Sequence, residues 1–223
     1  MKFIKDFNLN ATSNAEHKAN FFPNFGILSG KFPPELFNKI KIEINDIQND
    51  FTKATFFGEN LAGNIKKEFE LRHNLAEVER FLIDTAIKYD KAFDIIKKIK
   101  FANAAVPFQM DSLWANYQTK HEFNPLHTHS GLFSFILFVK IPYTLEELKN
   151  SPGAKSNTNC AGGLNFVYSD MLGEQRDYLY LASSQDEGFF FFFPAKLNHC
   201  VYPFYNNDGY RITVSGNLVL KVK

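Results

Sequence analysis

Apolar positions recur at helical spacing through the first hundred residues of the chain, and through the second hundred they cluster into short runs instead. From Pro34, a residue suited to a helix's first turn, Leu36, Phe37, Ile40, Ile44, Ile47 and Phe51 follow at intervals of three and four, which is one face of a helix. A second stripe, Val78, Phe81, Leu82, Ala86, Ala92 and Ile95, predicts a helix from about Leu75 to Lys97. Between them NLAGNIKKEFEL, residues 60–71, reads as a polar connection. Ahead of them, Asn, Pro and Gly punctuate FFPNFGILSGKFPP, which predicts a short strand or two with turns.

After residue 100 the β-rich runs fall at 110–119, 132–141, 163–168, 178–182, 188–193, 199–204 and 210–222, broken by Gly, Pro and Asn. Short strands without intervening helices predict a sandwich or jelly roll rather than a parallel sheet. GFFFFFP is too short for a helix and is stopped by Pro194, so it fits a strand buried on both faces. Residues 144–162 form a long polar insertion, readable as a solvated loop or as a lid. The expected organisation is one domain over residues 1–223, with a helical support region (1–105) and a β core (106–223).

Composition sharpens this picture in one respect and bounds it in others. Twenty-six Phe, nine Tyr and 45% hydrophobic residues exclude a disordered chain and predict a Phe-rich core. A formal charge of +1 and a pI near 7.7 offer no basic field of the kind that holds nucleic acid by its phosphates. Cys160 and Cys200 are too few for a disulfide framework, as in a reducing compartment. MKFIKDFNLN lacks the apolar core of a secretory signal, and no apolar run reaches the roughly 18 residues that cross a bilayer. The expectation is a soluble, cytoplasmic protein.

Candidate chemistry gathers in NPLHTHSG, residues 124–131, which holds two of the six histidines. On a strand, residues i and i+2 share a face, so His127 and His129 would converge. His199, just after FFFFFPAKLN, would add a ligand from a distant strand, and three imidazoles with open positions suit iron, copper or zinc. A polar start to an ordinary strand is the competing reading. Farther on, RITVSGN puts Arg211, Thr213 and Ser215 on one face, and a guanidinium fork beside a hydroxyl can hold a carboxylate. The alternative is an edge-strand Arg paired to a surface acid. Yet Arg211 stands among Ile, Val and Leu, and an Arg drawn into the sheet needs a partner, which a dicarboxylate ligand would supply.

The ordered set WANY, NPLHTHSG, GGLNF, GFFFFFPAKLNHCVYP and RITVSGN resembles the 2-oxoglutarate/Fe(II)-dependent oxygenases, in particular a group found in bacteria and marine phages. The resemblance covers about residues 110–220, and LAGNIKKEFEL extends it toward residue 60. It implies a double-stranded β-helix (jelly roll, cupin-like), mainly β with N-terminal helices. It also implies Fe(II) held by His127 and His199, and 2-oxoglutarate gripped by Arg211 with Thr213. Tyr117 stands where related sequences place a 2-oxoglutarate contact. At the second ligand His129 stands in place of the usual carboxylate, so that either the site has three histidines or the acidic position is vacant and His129 points elsewhere; Asp111 and Asp170 are the nearest acids that could stand in for it. Loss of one negative charge would leave the metal more dependent on 2-oxoglutarate for neutralisation.

The implied activity is that of a hydroxylase: 2-oxoglutarate and O2 are consumed, succinate is released and a C–H bond of an unidentified substrate is oxidised. Leu132 to Val139 and the Phe run would either keep water from the oxidant or serve as core. Two other readings stand beside it, a three-His cupin-like dioxygenase or isomerase that needs no 2-oxoglutarate, and a non-catalytic phage module on the same fold. Response to 2-oxoglutarate separates the first pair, and metal binding separates both from the third.

Overall fold

The computed structural model describes residues 25–95 and 108–221. Its frame is two antiparallel sheets. The larger joins β1 (Leu28–Lys31), β2 (Glu68–Glu70), β3 (Phe108–Gln118), β5 (Phe133–Lys140), β8 (Phe189–Pro194) and β10 (Arg211–Leu220) in the order β1-β8-β5-β10-β3-β2. The smaller joins β4 (Asn124–His127), β6 (Gly163–Ser169), β7 (Gln175–Leu181) and β9 (Asn198–Val201) in the order β4-β9-β6-β7. The chain thus crosses repeatedly between sheets, as a jelly roll does. Helices α1 (Pro34–Asn49) and α2 (Leu75–Phe93) cover the outer face of the large sheet.

The Phe run explains the layering. On β8, Phe190 and Phe192 join the helix-side core with Leu36, Ile40, Val78 and Leu82, while Phe191 and Phe193 join a second core with Leu164 and Phe166 of the small sheet. Alternation of side chains on a strand makes this split, so a run that is apolar at every position must be covered on both faces. Strand β5 divides in the same way: Phe133, Phe135, Leu137 and Val139 face the helices, and Ile136 and Phe138 face inward.

Both predicted helices are present, and α2 stops at Phe93, where Asp94 takes a left-handed φ of 54°. The spacing predicts a helix running on to Lys97; Asp94 ends it first, and residues 96 and 97 lie outside the described residues, as does everything expected before Phe25. The segment read as a polar connection contains β2, which pairs with β3, and residues 57–65 beside it line a cavity. Glu is a poor strand former, so EFE becomes a strand only because β3 offers it an edge. The N-terminal half therefore contributes two edge strands as well as helices. The insertion at 144–162 carries a short capped helix α3 (Leu145–Leu148) and packs on the second core through Leu148 and Ala161. None of it lines the cavity described below. No helix among the described residues is long and apolar enough to cross a membrane.

Phe192 is fully buried, with its ring centroid 5.0 Å from that of Phe133 and 6.1 Å from that of Tyr89. Phe192→Ala is expected to cost about 3–5 kcal/mol of unfolding free energy by urea titration. Phe189→Ala, half-buried at the start of the strand, is expected to cost less.

Candidate metal centre and cosubstrate cavity

The last residue of β4, His127, sits directly across the ladder from His199 of β9. His129 lies beyond the end of β4, where its backbone N–H donates to the Ala195 carbonyl at 2.8 Å. Convergence of the three rings therefore owes one pair to strand register and the third to a turn, where the His-x-His spacing predicted continuous strand alternation. Gly131 closes that turn. It adopts φ 82°, and an added Cβ would fall 2.7 Å from the Leu218 carbonyl oxygen. Only glycine meets both conditions here.

Ligating nitrogens of His127, His129 and His199 all lie within 4.8 Å of one another, and Nε2 of His129 is 3.0 Å from Nε2 of His199. Nδ1 of His127 donates to the Pro125 carbonyl (2.7 Å) and Nδ1 of His199 to the Leu197 carbonyl (2.9 Å). Those bonds hold the protons on Nδ1 and leave the Nε2 lone pairs facing inward, the arrangement that orients metal-ligating imidazoles. Burial lowers the basicity of all three. His199 is brought down to about 3 and His129 to about 4, with the neighbouring imidazoles adding to the effect, and His127 shifts the same way. The trio is thus held neutral at physiological pH, ready to bind a cation. This donor set, three nitrogens with a polar cavity on the open side, fits Fe(II). His73 and His121 lie away from it, and His17 is outside the described residues.

The histidines form one wall of a cavity of about 470 Å³, within the range usual for small-ligand sites. Across from them, the inward faces of β3 and β10 supply Trp114, Asn116 and Gln118, and Arg211, Thr213, Ser215 and Asn217. Register makes these a grid: Arg211 opposes Gln118, Thr213 opposes Asn116 and Ser215 opposes Trp114. The indole of Trp114 lies between the ring of Phe57 (5.5 Å) and that of His129 (5.6 Å).

Arg211 is 1% exposed. One guanidinium nitrogen donates to the Gly162 carbonyl at 2.9 Å and the group lies 5.6 Å from the centre of the Phe138 ring, but its Nε has no partner. Among the described residues no carboxylate pairs with it, so the surface-pair alternative is excluded by burial. A buried cation without a counter-ion is costly unless a ligand brings one.

Tyr117 is a correction to the sequence reading. It points to the opposite face of β3, packs in the helix-side core and donates its hydroxyl to the Ile44 carbonyl at 2.8 Å. Its neighbours Asn116 and Gln118 are the ones that line the cavity, because alternation sends adjacent residues to opposite faces. Of the two acids considered as stand-ins, Asp111 lines the cavity but is exposed and outside the histidine cluster, and Asp170 is engaged with Arg176 at 2.8 Å. The expected apolar wall reaches the cavity only through Ile136.

Sequence reading missed Asn116, Gln118, Asn217, Asn124 and Glu68 as lining residues. A signal existed for the first three, since WANYQ and RITVSGN both alternate polar with apolar positions. None existed for Glu68.

Because the three imidazoles are neutral in the folded protein but titrate near 6.5 when unfolded, the unfolded chain gains protons first as pH falls. Stability of the metal-free protein is therefore complete above about pH 6.5 and is lost as pH drops from there toward 4 and 3, by up to about 1.4 kcal/mol per pH unit for each imidazole. Urea midpoints of chelator-treated protein at pH 7.5 and 5.0 check this, with a lower midpoint expected at pH 5.0 and a smaller difference in His199→Asn.

The family model described as "Putative 2OG-Fe(II) oxygenase" matches residues 112–217. The chain is similar in structure to a Pseudomonas putida prolyl-4-hydroxylase, with 12% identity, a TM-score of 0.50, and coverage of 89% of this chain and 94% of that one. A viral collagen prolyl hydroxylase from Paramecium Bursaria Chlorella virus-1, in its 2OG complex, aligns at 12% identity and a TM-score of 0.43 over 86% and 94% of the two chains. No curated protein matches. The first likeness bears on the fold alone, whereas the family match spans the strands that carry the histidines and Arg211. That match makes the segment carrying the histidines and Arg211 similar to the 2-oxoglutarate- and Fe(II)-dependent oxygenases, dioxygenases that use Fe(II), 2-oxoglutarate and O2, and the three-histidine cluster fits an iron site.

Proposed function

We propose that His127, His129 and His199 hold the iron, that Arg211 and Thr213 hold the distal carboxylate of 2-oxoglutarate, and that the enzyme hydroxylates a C–H bond of a substrate entering beside Phe57 and residues 60–62. The observation that carries this reading is Arg211: fully buried, lacking a carboxylate partner among the described residues, and lining the same cavity as the three imidazoles. A three-His enzyme indifferent to 2-oxoglutarate would have no use for that unbalanced charge.

When bound, Fe(II) and 2-oxoglutarate supply the family's oxidative chemistry, in which the acid becomes succinate and CO2 and one oxygen atom of O2 enters a C–H bond. The protein's part is positional. Arg211 supplies a planar fork for a carboxylate, kept in place by the Gly162 carbonyl, and Thr213 and Gln118 flank it with hydrogen-bonding groups. Trp114 and Ile136 keep the middle of the cavity apolar beside His129. With three neutral ligands the site lacks the negative charge that a carboxylate ligand would give, so dianionic 2-oxoglutarate provides the balancing charge. Iron and 2-oxoglutarate are therefore expected to bind cooperatively. Residues 1–223 act as one oxygenase domain in this reading, with residues 57–65 as a wall of the substrate channel.

His199→Ala is expected to abolish stoichiometric Fe(II) binding measured anaerobically. His129→Ala is expected to weaken it sharply, and full retention would mean that only His127 and His199 ligate. Arg211→Ala is expected to weaken 2-oxoglutarate by about 30- to 5,000-fold, corresponding to about 2–5 kcal/mol for one partner of a desolvated charge pair. Iron affinity without 2-oxoglutarate is expected to change little. Arg211→Lys is expected to recover only part, having charge without the fork. Titration of the Fe(II)–2-oxoglutarate charge-transfer band under nitrogen reads both variants; absence of the band in iron-loaded wild type would refute the cosubstrate assignment.

A further inference from the structure

Five of the seven buried side-chain polar atoms that lack a partner among the described residues belong to residues lining this one cavity: Glu68 Oε1, Asn116 Oδ1, Asn124 Oδ1, Asn217 Oδ1 and Arg211 Nε. They divide by chemistry. Arg211 Nε is a donor, and a dicarboxylate answers it. The other four are acceptors, and 2-oxoglutarate at neutral pH carries no donor with which to satisfy them. Water aside, a second ligand rich in N–H groups is what this wall lacks.

Glu68 shows which kind. It is 3% exposed, stands on edge strand β2 directly across from Asn116, and Asn116 in turn stands across from Thr213. The row Glu68–Asn116–Thr213 thus runs from the sheet edge toward the cosubstrate end. The amide nitrogen of Asn116 is committed to Thr213 Oγ1 at 3.2 Å, which leaves its carbonyl oxygen as the free atom. Among the described residues no Lys, Arg or His pairs with Glu68. The charge that acts on it is that of another acid, Glu122, whose two carboxylate oxygens accept backbone N–H groups of Lys66 (3.3 Å) and Thr119 (2.8 Å). Burial and Glu122 together push the Glu68 carboxyl up to about 7, as expected of an acid awaiting a counter-charge. The same cavity therefore holds an unbalanced cation, Arg211, and an unbalanced acid, Glu68, in separate places.

We propose that Glu68, with the carbonyl oxygen of Asn116, is the specificity determinant for the substrate and receives a cationic nitrogen, an ammonium or guanidinium, so that the oxidised molecule is an amine- or guanidine-bearing compound or side chain. This names a substrate class for the hydroxylase reading above and rests on it. Glu68 lies on the polar segment beside residues 57–65, where the proposed channel opens, and a charge-assisted hydrogen bond there would orient the substrate's carbon skeleton toward Trp114 and the histidines.

The test is calorimetric binding of Nα-acetylated L-arginine and L-lysine, against the Nα-acetylated forms of L-citrulline and L-norleucine, which carry no cationic nitrogen, to anaerobic Fe(II)- and 2-oxoglutarate-loaded protein. Wild type is expected to prefer the cationic member of each pair by roughly 10- to 100-fold. Glu68→Gln is expected to lose that preference while its 2-oxoglutarate titration stays at the wild-type value, which also certifies that the variant is folded. If the band forms but neither cation binds, or the preference survives in Glu68→Gln, the cation subsite is overturned and the cosubstrate reading stands. If no band forms yet cations bind in a Glu68-dependent way, the cosubstrate reading falls and the subsite stands. Should Glu68→Gln fail to fold, the wild-type ratio of arginine to citrulline affinity decides: a ratio near one overturns the proposal.

Discussion

Two central strands of the large sheet, β5 and β8, are covered on both faces, and most of the remaining architecture follows from that constraint. A strand that is apolar on both sides needs a layer above and a layer below. Helices α1 and α2 provide the outer one and the small sheet the inner one. Between the sheets the apolar core fills only part of the space: Phe166, Phe191 and Phe193 pack at one end and give way at the ring of His199, whose centroid is 5.0 Å from that of Phe193. Beyond that boundary the inward positions of β3 and β10 turn polar. The functional cavity is thus the part of the sandwich interior that the phenylalanines leave open.

Charge is handled inside this cavity in a way that a self-sufficient core would not tolerate. Three imidazoles are held neutral by burial with their Nε2 atoms aimed at one another, a guanidinium is buried with a carbonyl and an aromatic face for company, and an acid is buried with another acid nearby. Each arrangement costs folding free energy unless ligands complete it. That is the usual signature of a site whose stability is deferred to binding, and metal, dianion and substrate would supply the missing charges in turn.

His129, which we propose as the third iron ligand, is carried by a turn rather than by a strand. Because His129 stands outside β4, its position depends on the hydrogen bond to Ala195 and on Gly131, rather than on the ladder that aligns His127 with His199. Of the three histidines it is therefore the one whose position the ladder does not fix.

Legibility of the chain from its sequence followed the range of the interactions concerned. Helix faces, the two-sided Phe strand, the jelly-roll class, the three histidines and the Arg211–Thr213 pair are local patterns, because strand and helix periodicity constrain side chains a few residues apart. The order of those motifs by itself also carried the resemblance to the 2-oxoglutarate/Fe(II)-dependent oxygenases. What only the tertiary structure decided was anything that depends on which strands become neighbours. EFE became a strand because β3 had a free edge, and Glu68 reached the cavity by that pairing alone. Tyr117, expected beside 2-oxoglutarate, joined the core because the helices cover the face of β3 that it shares with Leu113 and Ala115, which leaves Asn116 to the cavity. That no described residue supplies a counter-ion for Arg211 or Glu68 was likewise invisible, since a missing partner is a property of everything that surrounds a side chain and of no segment that contains it.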